Sequence, residues 1–184
     1  MLKADAVVVA CSSYSEPLLR SVGVSLPIYP GKGHSAAFKI LRPEPAPQVS
    51  TIDVALKYAM SRLGRKLRVA GTIELGGYNT SLTTPLTPLA KARCAMLVHR
   101  VEQVLPGVCN TRLESEGGTP NFWTGLRPAT PTNIPYFGLI PVKKLRFNAG
   151  HGTLGWTHGA GSGKALAELV SGHKPDLAFK FYGI

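Results

Sequence analysis

Gly150-His151-Gly152-Thr153-Leu154-Gly155 satisfies the spacing G-x-G-x-x-G. Lys144 to Ala149 before it reads as a strand, and Trp156 to Val170 after it reads as a helix closed by Gly172. In that setting the glycines permit a tight turn and close approach of backbone to a ligand. The helix start offers N–H groups without intrahelical partners and the positive end of the dipole. A dinucleotide fingerprint also needs an acidic residue about 20 positions on, at the end of a second strand. Asp176 has nearly that spacing but follows a turn. Three readings stay open: a dinucleotide loop, a purely structural turn, and a loop that touches an anionic or electron-rich ligand.

Arg127 is the second residue that could do chemistry. Trp123-Thr124-Gly125-Leu126-Arg127-Pro128 sets a guanidinium among apolar and rigid neighbours, where it can grip a carboxylate through two parallel hydrogen bonds or bridge buried carbonyls. The stretch from Gly117 to Ala167 holds no Asp or Glu but does hold Arg127, Lys143, Lys144, Arg146 and Lys164. It suits a site that meets negative charge, or a solvated basic face. Gly159 to Lys164 fails as a phosphate-binding P-loop, because His158 stands at its first glycine and Ala165 at its magnesium-binding hydroxyl. The histidines lack metal-ligand spacing, and no serine sits in a Gly-x-Ser-x-Gly elbow.

These groups need a scaffold, and the composition supplies one. The 184 residues are 44% hydrophobic and 17% charged, which excludes wholesale disorder and suits one ordinary domain or parts of two. The longest apolar run, Ala6 to Cys11, is far short of a bilayer span, and the start of the chain lacks the pattern of a secretory signal. Cys11, Cys94 and Cys109 form no Cys-x-x-Cys pair, so a reducing, cytoplasmic compartment is the default. The net charge of +11 calls for an anionic partner: a ligand, a nucleic acid or a membrane surface. Arg62, Arg65, Lys66 and Arg68 cluster around a turn that reads as a solvated hairpin tip or a phosphate contact.

Val7-Val8-Val9 and its flanking alanines read as a strand buried on both faces. Glu16 to Val22 suits a short helix or turn. Pro27 to Gly33 reads as a turn leading into a strand at His34 to Leu41, and Arg42 to Pro47 as an extended loop. Val49 to Ala59 and Lys66 to Leu75 read as two strands joined by a turn at Arg62 to Arg65. Pro88 to Leu105 reads as a helix whose apolar stripe is Leu89, Ala92, Ala95, Met96, His99 and Val104, stopped by Pro106-Gly107. Val108 to Ser115 reads as a strand, and Phe122 to Gly138 as a punctuated region.

Taken together, Val7 to Ala10 with Ser13-Tyr14-Ser15, Tyr29-Pro30-Gly31-Lys32-Gly33, Phe122 to Pro131, Gly150 to Trp156 and Gly161-Ser162-Gly163 resemble one family. They look like the C-terminal part of the FAD-dependent D-amino acid dehydrogenase small subunit, in the wider D-amino acid oxidase family. The resemblance covers nearly the whole chain. It implies a mixed α+β and α/β architecture: a partial glutathione-reductase-like FAD-binding domain with an antiparallel-sheet substrate domain, lacking the N-terminal nucleotide-binding βαβ unit. Residues 1–21 and 142–184 would belong to the former and residues 22–141 to the latter.

The resemblance also implies roles. Arg127 would pair with the substrate α-carboxylate, with His34 and Tyr78 as further substrate contacts. Gly150, His151, Gly152, Thr153, Leu154, Gly155 and Trp156 would lie beside the flavin of FAD, with the helix start facing charge that builds on its ring. The implied reaction is oxidation of a D-amino acid by hydride transfer, followed by hydrolysis to a 2-oxo acid and ammonia. The implied partners are the D-amino acid, the missing N-terminal FAD-binding half and a respiratory electron acceptor, with no specific nucleic acid. Location at the inner face of the cell membrane is a further expectation. Ser12 where glycine is usual, His34 where tyrosine is usual, and Thr132-Asn133-Ile134 before Pro135 depart from the family pattern. A basic binding module and a non-functional gene remnant are the rival readings.

Overall fold

The computed structural model describes residues 3–82, 88–112, 120–139, 142 and 144–175. Asp176, the tail beyond it and the end of the strand expected at Val108 to Ser115 lie outside them. The chain divides into two units. One comprises residues 1–31, 76–80 and 126–184, the other residues 32–75 and 81–125.

In the first unit three strands form a sheet: β1 (Val7–Val9), β8 (Tyr136–Leu139) and β9 (Leu145–Ala149), in the order β1-β9-β8. β1 runs parallel to β9, with Val9 opposite Phe147, and β8 runs antiparallel to β9. The alternation along β9 sends Leu145, Phe147 and Ala149 into a core with Val9, Leu19, Leu26 and Ile28. Leu19 comes from the short helix α1 (Ser15–Arg20). β1 was expected to be buried on both faces. Instead Val7 and Val8 are 52% and 44% exposed, and only Val9 is buried. Among the described residues β1 pairs with β9 alone, and few side chains pack on its faces at Val7 and Val8.

The second unit is built on an antiparallel sheet in the order β3-β4-β5-β2-β6, with β7 also paired to β2. Its strands are β2 (Tyr29–Ile40), β3 (Thr51–Asp53), β4 (Tyr58–Leu63), β5 (Lys66–Glu74), β6 (Cys109–Asn110) and β7 (Asn121–Ala129), of which the first three residues of β2 and the last four of β7 count with the first unit. β2 starts five residues before the expected His34 and takes in the Pro-Gly-Lys-Gly segment. A bulge makes this workable: the register with β5 slips between Gly33 and His34, and Thr72 takes φ +62°. The single strand expected from Val49 to Ala59 is a hairpin instead, β3 then β4. Its turn is closed by the Leu56 N–H donating to Asp53 Oδ1 (2.9 Å), with Lys57 at φ +58°. β7 replaces the irregular stretch expected after Phe122, whereas the turn expected between β4 and β5 is present at Gly64.

Aromatic rings cover two glycines of this unit. Tyr58 pairs with Gly71 across the strands, and a Cβ at Gly71 would fall 2.3 Å from its ring. Trp123 covers Gly125 in the same way and is itself capped by the Arg68 guanidinium, 5.8 Å from the ring centre.

The helix α2 (Pro88–Val104) has the expected extent but buries a different stripe. Ala90, Cys94, Leu97 and Val101 face the core with Phe38, Tyr58, Met60, Leu67 and Val69, while Leu89, Met96 and Val104 are about half exposed. Two ion pairs turn the helix this way. Arg93 reaches Glu74 of β5 (3.8 Å) and Arg100 reaches Asp53 of β3. Beyond α2, Arg42 donates to the carbonyls of Pro106 (2.7 Å) and Gly107 (3.0 Å), which stops the helix where the Pro-Gly pair predicts.

Candidate active site

β9 ends at Ala149, and the chain turns sharply to enter α3 (Gly155–Val170). Gly150 (φ +80°) and Gly152 (φ +56°) supply left-handed backbone that most residues resist. Gly150 also has no room for a side chain, since a Cβ there would fall 2.7 Å from Thr130 Cγ2. The Gly152 N–H donates to the Pro128 carbonyl (3.0 Å), which pins the loop against β7. The Leu154 N–H closes the turn on the His151 carbonyl (3.0 Å). At the far end Gly172 (φ +79°) caps α3 as expected.

The loop forms one wall of an open cleft of about 350 Å³ within the first unit. Leu126, Arg127 and Pro128 of β7 form another, and Ala10 and Ser12 beyond β1 a third; Asn148 and Ala149 complete it. Arg127, His151, Gly152, Thr153, Gly155 and Trp156 thus share one cleft, whereas Gly150 and Leu154 shape the loop without lining it. The Trp156 indole stands almost fully in solvent, 99% exposed.

His34 and Tyr78 are not among the lining residues. His34 is buried in the second unit. Its Nδ1 meets Thr124 Oγ1 at 3.2 Å, and its Nε2 lies 3.3 Å from Glu74 Oε2 without the alignment of a hydrogen bond. Burial lowers its pKa from 6.5 despite the opposing pull of Glu74. Tyr78 stacks edge-on against Tyr29, ring centres 5.5 Å apart, and Tyr29 Oη accepts from the Gly77 N–H (2.8 Å).

Sequence reasoning missed Asn148 and Ser162. Ser162 Oγ lies 3.2 Å from both Asn148 Nδ2 and His151 Nε2, and it donates to the Gly159 carbonyl (3.3 Å). Burial, and then the charge of nearby His158, lower the His151 pKa from 6.5. His151 lies in the glycine motif and Ser162 in the Gly161-Ser162-Gly163 segment, but nothing in either spacing pairs them with each other or with Asn148. Among the described residues no three His, Cys, Asp or Glu side chains converge to hold a metal ion.

The donor set suits a flat, electron-rich heterocycle. Asn148 Oδ1 is buried without a hydrogen-bond partner and can take an N–H. The first turn of α3 offers backbone N–H groups, with Leu154 giving no side-chain cap to use them up. The glycine backbone leaves open space where a side chain at 152 would stand. The residues present therefore fit a flavin ring.

The family described as FAD dependent oxidoreductase matches residues 2–169. The D-amino acid dehydrogenase of Dechloromonas aromatica (strain RCB) is 48% identical over 180 residues, covering 98% of this chain and 40% of that protein. The D-amino acid dehydrogenase of Rhizobium rhizogenes is 41% identical over 176 residues, covering 96% and 39%. The chain thus spans about two fifths of the length of these relatives. Among solved structures, glycine oxidase from Geobacillus kaustophilus superposes with a TM-score of 0.76 at 24% identity, covering 98% of this chain and 45% of that one. L-proline dehydrogenase from P. horikoshii gives 0.74 at 17% identity, covering 99% and 46%. Those identities speak for the fold alone, a partial flavoenzyme fold with an antiparallel sheet. With the family pattern running along nearly its whole length, the chain belongs to the FAD dependent oxidoreductases.

Proposed function

We propose that the chain is the C-terminal part of a flavin-dependent D-amino acid dehydrogenase, and that its cleft brings substrate and cofactor together. One observation carries the reading: Arg127 and the Gly150–Trp156 loop line the same cleft. The first unit is read as the portion of the FAD-binding domain, and the second as the portion of the substrate domain. The nucleotide-binding βαβ unit and its ribose contact are supplied outside these residues, and a respiratory carrier takes the electrons onward. Among the described residues no helix is long and apolar enough to cross a membrane.

Arg127 binds the substrate carboxylate through its planar fork and so fixes where Cα stands. The Gly152–Pro128 hydrogen bond couples the loop to the strand that carries Arg127, so carboxylate and loop keep one geometry. The α3 N-terminus and Asn148 are the groups that would hold the flavin. FAD, when bound, would supply the two-electron acceptor for the hydride from Cα, and the proton lost from the amino group passes to water. The resulting imino acid hydrolyses in water to a 2-oxo acid and ammonia.

The test uses the longer enzyme. Arg127→Ala removes charge-assisted hydrogen bonds worth about 2–4 kcal/mol, so kcat/KM for D-amino acids falls roughly 30- to 1000-fold. Arg127→Lys recovers part of that, and unchanged kcat/KM in Arg127→Ala dismisses the reading. The 184-residue chain alone, lacking pyrophosphate and adenosine contacts, emerges colourless from gel filtration with FAD. Stoichiometric yellow flavin would contradict the division of labour.

A further inference from the structure

Ser162 is the meeting point of two polar residues of the cleft wall, Asn148 and His151. A hydroxyl has one proton and two lone pairs. The proton of Ser162 goes to the Gly159 carbonyl, one helical turn back. One lone pair then accepts from Asn148 Nδ2, and the other remains for His151 Nε2. Every position is used once only when the imidazole carries its proton on Nε2. Its basic position is then Nδ1, which makes no hydrogen bond to any described residue.

We propose that Ser162 is a positioning residue that holds His151 as the Nε2–H tautomer, so that Nδ1 accepts a hydrogen bond from the amino group of the D-amino acid. This rests on the reading of Arg127 as the carboxylate site. The two groups of an α-amino acid sit on one carbon and its neighbour. A cation for the carboxylate and a neutral acceptor for the amine, in one cleft, are their complement. Burial keeps the imidazole neutral at pH 7, as an acceptor must be. Asn148 adds a second tie that keeps the hydroxyl from rotating toward the ring as a donor.

The full 184-residue chain, labelled with 15N-histidine, tests this by long-range 1H–15N spectra at pH 7.5. The expected result is a pyridine-type Nδ1 and a pyrrole-type Nε2 for His151; the opposite pattern overturns the proposal without any variant. Ser162→Ala is expected to give averaged signals from both tautomers, and Ser162→Thr, which keeps the hydroxyl, to restore the single form. Titration with D-alanine is expected to shift Nδ1, while propionate, the same acid without its amino group, leaves it in place. Loss of the hydrogen bond in Ser162→Ala is expected to weaken D-alanine roughly 2- to 13-fold and propionate not at all. Equal response of Nδ1 to both ligands, with propionate binding still lost in Arg127→Ala, overturns the role of Ser162 and His151 alone. Propionate binding indifferent to Arg127→Ala overturns the carboxylate site, and this proposal with it.

Discussion

Replacing Gly150 by alanine probes the turn on which the cleft depends. At φ +80° an L-residue pays about 1–2 kcal/mol for left-handed backbone. The new methyl would also stand 2.7 Å from Thr130 Cγ2 and 3.4 Å from Tyr136 Cδ2. Thr130 is buried and its hydroxyl is committed to the Ile134 carbonyl (3.0 Å), so it has little freedom to retreat. Overpacking of this kind costs about 1–3 kcal/mol, giving a total of about 2–5 kcal/mol. Thr130→Ser deletes the obstructing Cγ2 and keeps the hydrogen bond. The double variant should therefore recover the overpacking part, a coupling of about 1–3 kcal/mol, and keep the backbone part. Urea unfolding followed by circular dichroism measures the four corners of this cycle. Hydrogen exchange of the β8 and β9 amides assigns the loss to the first unit. A cost below about 1 kcal/mol for Gly150→Ala, or no coupling to Thr130→Ser, would refute the account of the turn.

Three further outcomes follow from buried groups. His34 is held neutral by burial, so the unfolded chain binds more protons than the folded one just below pH 6.5. Stability is full above that pH and declines as pH falls toward the lowered folded value. Urea midpoints from pH 8 to 5 should show this slope, and His34→Gln should reduce it, leaving the part of the same sign that comes from buried His151. Phe147 is fully buried in the first unit, and Phe147→Ala should cost about 3–5 kcal/mol by the same unfolding assay. Cys109 is buried, which, with Glu102 nearby, pushes its thiol up to about 11, whereas Cys11 is exposed. Ellman's reagent at pH 8 should therefore modify Cys11 in the folded chain, and Cys94 and Cys109 only after denaturation.

The loop Gly150–Gly155 and its helix were legible because glycine spacing reports backbone directly. Arg127 drew notice as a cation among rigid apolar neighbours in the sequence, and the fold sets it in the wall of the cleft. Asn148 carries no such signature and Ser162 only its place between two glycines; their pairing arises only where β9 and α3 pack. The buried face of α2 was misread because its apolar pattern is weak, and the choice falls to Arg93 and Arg100. Their partners, Glu74 and Asp53, lie on distant strands. The β3–β4 turn was missed because Val54-Ala55-Leu56-Lys57 contains none of the usual turn residues. Its closure depends on one carboxylate oxygen of Asp53.

The first nine residues of α3 include Gly155, Gly159, Gly161 and Gly163, each weakening a helix by roughly 1 kcal/mol relative to alanine. From Trp156 to Gly161 every residue is exposed, so burial gives this half little in return. Ala165 and Leu166 anchor the other half in the fold. The leading turns are thus held less by burial than by the tether from Ser162 to Asn148 of β9. A ligand entering there can reshape the rim of its own berth while the strands below stay rigid, and some of its binding energy goes into winding that rim tight.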